Sequence, residues 1–407
     1  MKRTVTLITA IILTLAMTLA IAACGDSDSS GSGNNDNGGR EPSSGDGGSS
    51  SSDSGSAPAP APQPNIPETP AEDFTFRLDG ETRGVFITGY TGTSFDVRVP
   101  AEIEGQPVTG IEGLSRDILS VYLPDTVQVI ANNAFKDSRG GLEIVIPNSV
   151  TRIGNGAFNG AEITNIVIPD SVTYLGADVF KGSSLQSIII PDSVTHLGDE
   201  AFKESTLQSI VIGNGVTEIS RGTFSDCKSL ESVVLGNNVT SIGKSAFQGT
   251  LALTNINFPD SLMTIGDNAF NGSGLTGHIM LPNNITVEDF AFENTNVTSV
   301  VIGNGATIEA AFRNNNELVD VTIGDGVTVA SGAFSNNLNL KDVTIGDGVT
   351  IALGAFVDSS ALTNVTIGNN ATLDIGAFSY SGSPLLSEAS IQRILEINPE
   401  ALLGWTG

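Results

Sequence analysis

The chain has 407 residues and carries 45 Asp plus Glu against 18 Lys plus Arg, a formal net charge of −27. Such a balance excludes a nucleic-acid binder that works by neutralising phosphates. Two cysteines, two histidines and one tryptophan leave little for metal, nucleophile or aromatic-core chemistry.

Lys2 and Arg3 precede an apolar run from Val5 to Ala20, which is short for a stable membrane span and is followed by small residues at Ala22 and Ala23. This pattern suits a secretory signal, with a retained signal anchor as the alternative. The stretch "IAAC", Ile21 to Cys24, resembles the bacterial lipobox. That resemblance implies a lipid on Cys24 and cleavage just before it, so residues 1–23 are expected to leave as a signal peptide. Without Lys2 and Arg3 the mature chain counts 16 bases against 45 acids, a charge of −29. The expected location is the bacterial cell envelope, lipid-anchored and exposed outside the cytoplasmic membrane at the cell surface.

Residues 24–73 form the expected tether. Positions 25–56 are almost entirely Ser, Gly, Asn and Asp, with nothing to bury, and "APAPAPQPNIPETP" (57–70) is proline-rich and stiffer. A flexible stalk of this length spans roughly 30–40 Å. From residue 74 a repeat begins. Phe135, Phe158, Phe180 and their successors to Phe378 recur every 20 to 23 residues, twelve in all. In "SLQSIIIPDSVTHLGDEAF" (184–202), Leu185, Ile188 and Ile190 give an LxxLxL step whose alternating end predicts a short strand, closed by Pro191. Val194, Leu197, Ala201 and Phe202 supply further inward positions. One unit cannot cover its own apolar face, so neighbours must stack on it.

The units "IPNSVTRIGNGAF" (146–158) and "IPDSVTYLGADVF" (168–180) resemble the BspA-like, or Treponema-type, leucine-rich repeat, and the likeness extends over about residues 74–380. The entry "GVFITGYTGTSFDVRVPAEIEGQPVTGIE" (84–112) also looks like that family's opening segment. The resemblance implies a β-rich solenoid of short parallel strands on a bacterial surface protein, active in adhesion or host-matrix binding and without catalysis. The expected layout is an N-terminal β cap (74–112), a solenoid of about twelve rungs (113–380) and a short helical C-terminal cap (381–407), within which "SEASIQRILEINP" (387–399) predicts an amphipathic helix. From Phe292 onward the interval from strand terminator to Phe shortens by one or two residues: Val327 and Val329 are two apart where Val216 and Ile219 are three apart. A tighter convex side is expected there. "DVTIGDGVT" at 320–328 and 342–350 is a duplicated unit.

Period-two alternation also locates the outward positions. Two residues before each closing Pro or Gly stand Val145, Val167, Ile189, Val211 and Val234, then Asn257, Met280 and Val301, then Thr322, Thr344 and Thr366. The file two residues earlier includes Ser187, Ser209 and Ser232, later Asp320 and Asp342. Strand propensity and cross-rung packing account for β-branched residues in such files; a continuous exposed aliphatic strip also marks a partner surface. The candidate binding face is therefore Val145, Val167, Ile189, Val211 and Val234, running into Thr322, Thr344 and Thr366, with a host-matrix or other cell-surface protein as expected partner. A glycan-binding or purely structural envelope module is the alternative. Tyr122 is an aromatic in the outward file, a sparse platform for sugars. No acid–base pair, nucleophile elbow or phosphate loop stands out, so the chain is not expected to be an enzyme. It is expected to be a monomer without nucleic acid, cofactor or metal. Cys227 reads as a buried packing thiol, His196 and His278 have no evident ligand set, and the "GNG" and "GDG" triplets read as turns that use positive φ.

Overall fold

A computed structural model of the protein describes residues 66–80, 84–114, 117–378 and 386–402. The apolar leader, Cys24 and the tether as far as residue 65 lie outside the described residues. Strand β1 (Phe74–Leu78) pairs antiparallel with β2 (Val85–Tyr90). Beyond β2 come β3 (Asp96–Arg98), β4 (Glu102–Ile103) and β5 (Gln106–Ile111), and β4 folds back antiparallel on β5. All later pairings are parallel, beginning with β2 on β5 and β3 on Ser120–Tyr122.

Ordered chain begins before the strands do. The Thr69 amide donates to the Arg98 carbonyl at 3.0 Å, the Arg98 amide donates to the Thr69 hydroxyl at 3.0 Å, and the Arg98 guanidinium donates to the Ile66 carbonyl at 3.1 Å. Residues 66–69, assigned to the tether on composition, thus lie along the exposed edge of β3 and blunt it. Counted at the first-strand position from Asp96 to Asn364, the described residues form a parallel β-solenoid of about 13 turns. The first of these turns carries no Phe of the file and fell within the expected β cap.

Each rung has three sides. On the first, strands such as Ser187–Ile190 bury Ile188 and Ile190 and turn Ser187 and Ile189 outward. On the second, two-residue strands such as His196–Leu197 bury only the second residue. The third side carries the Phe in a turn whose alternate amides donate to the next rung: Asn133 to Asn155 at 2.9 Å, Phe135 to Ala157 at 2.7 Å and Asp137 to Asn159 at 2.8 Å. The twelve Phe rings form one internal stack, with successive centroids 4.8 to 5.5 Å apart and interplanar angles of 2° to 20°.

Three residues after the Phe, from Ser138 to Ser359, runs a second buried file made of small polar side chains except for Ala161, and Cys227 belongs to it. Ser138 and Thr250 donate their hydroxyls to the carbonyls of Phe135 and Phe247, both at 2.8 Å, while the Cys227 thiol donates to the Phe202 carbonyl at 2.9 Å. Burial pushes that thiol up to about 11, so it stays protonated and inert. Asn337 is the most demanding member. Its Nδ2 donates to the carbonyls of Phe312 (3.0 Å) and Phe334 (2.8 Å), and its Oδ1 accepts from the Asn315 amide (2.8 Å). Asn337→Leu keeps the volume and strands all three groups in the core. A buried group left unpaired costs about 1–3 kcal/mol, so the variant should lose about 3 kcal/mol in a denaturant titration, whereas Asn339→Leu, an exposed neighbour with one bond to Asn316, should lose under about 1 kcal/mol.

The shortened C-terminal rungs take their missing residue from the corner between the first two sides. Gly326, Gly348 and Asn370 adopt φ of +65°, +66° and +55°, and the second strands stay in register across the change, Thr264–Ile265 on Thr286–Val287. The triplet 213–215 differs. Gly215 is not in the left-handed region; a Cβ there would sit 2.1 Å from the Asp192 carbonyl oxygen, so close approach rather than positive φ requires glycine. The middle Asx of the corners ties rungs together: Asp325 and Asp347 each accept the amide of the equivalent residue one rung on, at 2.8 and 2.7 Å.

At the far end a single helix, α1 (Glu388–Ile397), starts at the Ser387 N-cap and covers the last rung. Ser390 accepts the Val365 amide at 2.9 Å, and Arg393 and Asn398 donate to the carbonyls of Gly368 and Leu373, both at 2.9 Å. Three polar groups at the exposed edge of the final rung are thus satisfied by this helix and its C-cap.

Candidate binding face

The outward file of the first side is built by strand register. Arg98 lies beside Tyr122 and Tyr122 beside Val145; Ile189 beside Val211 and Val234; Met280 beside Val301, Thr322, Thr344 and Thr366. Adjacent members are about 4.8 Å apart. Seven of the eight residues singled out from the sequence stand in these three register-paired segments, and Val167 falls between the first two. Val167 belongs to a rung, 164–167, that forms no strand, and it is the more exposed for it: 63% against 37% for Val145 and 38% for Ile189. Val211 and Val234 are half-buried, as is Thr322, while Thr344 and Thr366 are exposed.

The ladder is interrupted again at 255–258. There Phe258 takes the inward position held by Ile or Leu elsewhere and packs edge-on to Phe270 and Phe292, at 5.7 and 6.2 Å. Asn257 leaves a polar gap in the file, and Met280, 66% exposed, resumes it. His278, in the flanking file, shares a short hydrogen bond between its Nδ1 and the Ser299 hydroxyl. Among the described residues no three His, Cys, Asp or Glu side chains gather as a metal site. Nor is any described helix long and apolar enough to cross a membrane.

Sequence reasoning overlooked the second side. Its outward file stacks Arg152, Tyr174 and His196, with the guanidinium 3.7 Å from the Tyr174 centroid and the imidazole 4.4 Å from it. Both faces of Tyr174 are therefore covered. The same file continues as six threonines, Thr264 to Thr372, paired in register. The Thr, Tyr or His directly before each second buried aliphatic was the available signal. On the third side, three lysines are held in ion pairs: Lys181 meets Glu200 at 2.7 Å and Asp178 at 3.2 Å, Lys203 meets Glu200 at 3.4 Å, and Lys244 meets Asp267 at 3.3 Å. The Lys181 ammonium, hydrogen-bonded to Glu200, holds that carboxyl below the usual carboxylate range despite partial burial.

A six-copy family model described as the BspA type leucine rich repeat region matches residues 114–231, 195–309 and 286–404. The chain belongs to this family. Among solved structures, a leucine-rich repeat protein from Bacteroides ovatus is 24% identical over 73% of this chain and 89% of that one, with a TM-score of 0.59. A leucine rich cell surface protein from Faecalibacterium prausnitzii is 24% identical over 77% and 86%, with a TM-score of 0.39, and a leucine-rich repeat protein from Eubacterium ventriosum is 19% identical over 81% and 90%, at 0.42. No curated protein matches the chain. In this BspA-type repeat the recurrent Val–Thr step feeds the second side and the terminal Ala–Phe pair feeds the ring stack. Among the described residues, the first-side file from Tyr122 to Val234 keeps an apolar or aromatic side chain outward on six successive rungs, exposed at Val145, Val167 and Ile189 and half-buried at Tyr122, Val211 and Val234.

Proposed function

We propose that the protein is a membrane-anchored surface lipoprotein that presents its first-side face to a protein partner, in an adhesin-like role. The observation that carries the reading is the outward apolar file from Val145 to Val234, in which Val145, Val167 and Ile189 are exposed and Val211 and Val234 half-buried. Covering a Val or Ile side chain contributes about 1.5–3 kcal/mol at full burial, so several neighbours in line provide a useful binding surface. A protein suits the file better than a glycan, because sugars stack on open aromatic faces and from Tyr122 to Thr366 the file holds a single aromatic, the half-buried Tyr122. With residues 66–69 along one edge and α1 over the other, both ends of the solenoid are blunted, which supports a monomer.

In this reading residues 1–23 are removed, Cys24 carries the lipid, and the Ser/Gly/Pro-rich stretch holds the repeats away from the membrane. Each buried acyl methylene adds about 0.8 kcal/mol, so several chains on one residue anchor durably. Mass spectrometry of the mature N-terminus should find a peptide that starts at acylated Cys24; an unmodified Cys24 behind an intact leader contradicts the anchor. The binding role is tested by exposing the chain to immobilised extracellular-matrix proteins and to bacterial glycans side by side. Capture by a protein and not by a glycan is expected. Capture by glycans alone overturns the protein assignment, and capture by neither leaves a structural role.

A further inference from the structure

We infer that the partner's docking surface is cationic as well as apolar: the first-side face takes a protein segment with an aliphatic row flanked by Lys or Arg. This rests on the reading of that face as a protein-binding surface. Two outward files border the apolar one. The first lies two residues earlier in each strand, and the second is the corner residue just after each closing Pro or Gly. Over the twelve rungs from Tyr122 to Thr366 these bordering files contain nine Asp or Glu and no Lys or Arg. Glu143, Asp320 and Asp342 stand in one, and Asp170, Asp192 and Asp347 are among six in the other.

The charge is most concentrated at the C-terminal rungs. Asp320 pairs in register with Asp342, and Asp325 accepts the backbone amide of Asp347, so four carboxylates frame Thr322 and Thr344. Lys341 stands directly before the strand of Asp342, and Arg393 of α1 donates to the carbonyl of Gly368, beside the Asn369 whose amide Asp347 accepts. Lys181, Lys203 and Lys244 are turned to another side, where they sit in ion pairs, and Arg98, which heads the outward file beside Tyr122, donates to the Ile66 carbonyl. Like charges one rung apart repel, and an arriving cation relieves that repulsion while an arriving carboxylate adds to it. The partner's aliphatic row accordingly lies along Val145 to Val234, with its most basic part over Thr322 and Thr344.

The test uses two designed amphipathic helical peptides of about 30 residues, long enough to reach from Val145 to Thr344, with the same leucine row, one bordered by Lys and the other by Glu, titrated against the chain by fluorescence anisotropy at low and high salt. The Lys peptide should bind about tenfold tighter or more, and high salt should narrow the gap. Asp320→Asn, Asp342→Asn and Asp347→Asn together should weaken it about fivefold or more, while Asp137→Asn, Asp226→Asn and Asp358→Asn, the same charge change on the third side, should leave it within about twofold. Equal loss from the two sets shows general attraction to an acidic protein and overturns the inference. Absence of binding by either peptide does the same. Preference for the Glu peptide, abolished by Val167→Lys, Ile189→Lys and Val211→Lys, overturns the cationic partner and keeps the face; binding indifferent to that triple change removes the face itself.

Discussion

Phe224→Ala should lower the stability of the solenoid by about 3–5 kcal/mol, the range for removing a fully buried ring. Phe224 is 0% exposed and lies between Phe202 and Phe247, at 5.5 and 5.0 Å. Its loss opens a cavity in the middle of the stack and removes two ring contacts at once, each worth about 0.5–1.5 kcal/mol beyond burial. In a stacked repeat, stability is the sum of the units and their nearest-neighbour interfaces, so a defect between rungs weakens the coupling of the two halves. A broadened or two-step denaturant transition should accompany the shift in midpoint. Phe135→Ala is the comparison, because that ring begins the file and stacks on Phe158 at 5.2 Å. It should cost less by about one ring contact and leave a single sharp transition. Equal losses and equally sharp transitions for the two variants would mean that the ring file does not couple the rungs.

Much of this architecture is legible from side-chain periodicity, since the buried positions are filled by residue type. Leu185, Ile188, Ile190 and Phe202 announce the rung because each faces inward wherever the rung sits. The helix over the last rung is equally plain in the spacing of Ile391, Ile394 and Ile397 and in the Ser387 cap. What the sequence conceals depends on backbone groups or on register between rungs. The pairing of Thr69 with Arg98 uses main-chain bonds that composition does not encode, and the proline-rich approach to it reads only as linker. Gly215 and Gly326 occupy the same place in identical-looking triplets, yet one is needed for close approach and the other for positive φ, because the segment that follows is one residue shorter in the second case. Outward parity on the candidate face follows from alternation in the strands. The exposure of Val167 does not, since it depends on a local gap in the ladder that its own side chain does not signal.

The largest functional effect is expected from Val167→Lys, Ile189→Lys and Val211→Lys made together. The three side chains stand on consecutive rungs of the apolar file with their side chains turned outward, so lysine there reaches solvent and adds no buried charge. The fold should therefore survive, with a denaturation midpoint close to that of the parent. Binding should not survive, because each lysine replaces aliphatic contact with a charge that must be desolvated for a partner to dock. A matched third-side set, Asn159→Lys, Gln248→Lys and Asn271→Lys, each at the half-buried position directly after a stacked Phe, carries the same charge change away from the face. The decisive measurement is the capture of an immobilised matrix-protein ligand by the parent and these two variants, each first shown to be folded. Loss of capture by the face variant alone is the result predicted; undiminished capture by a folded face variant would contradict the assignment of this file as the binding surface.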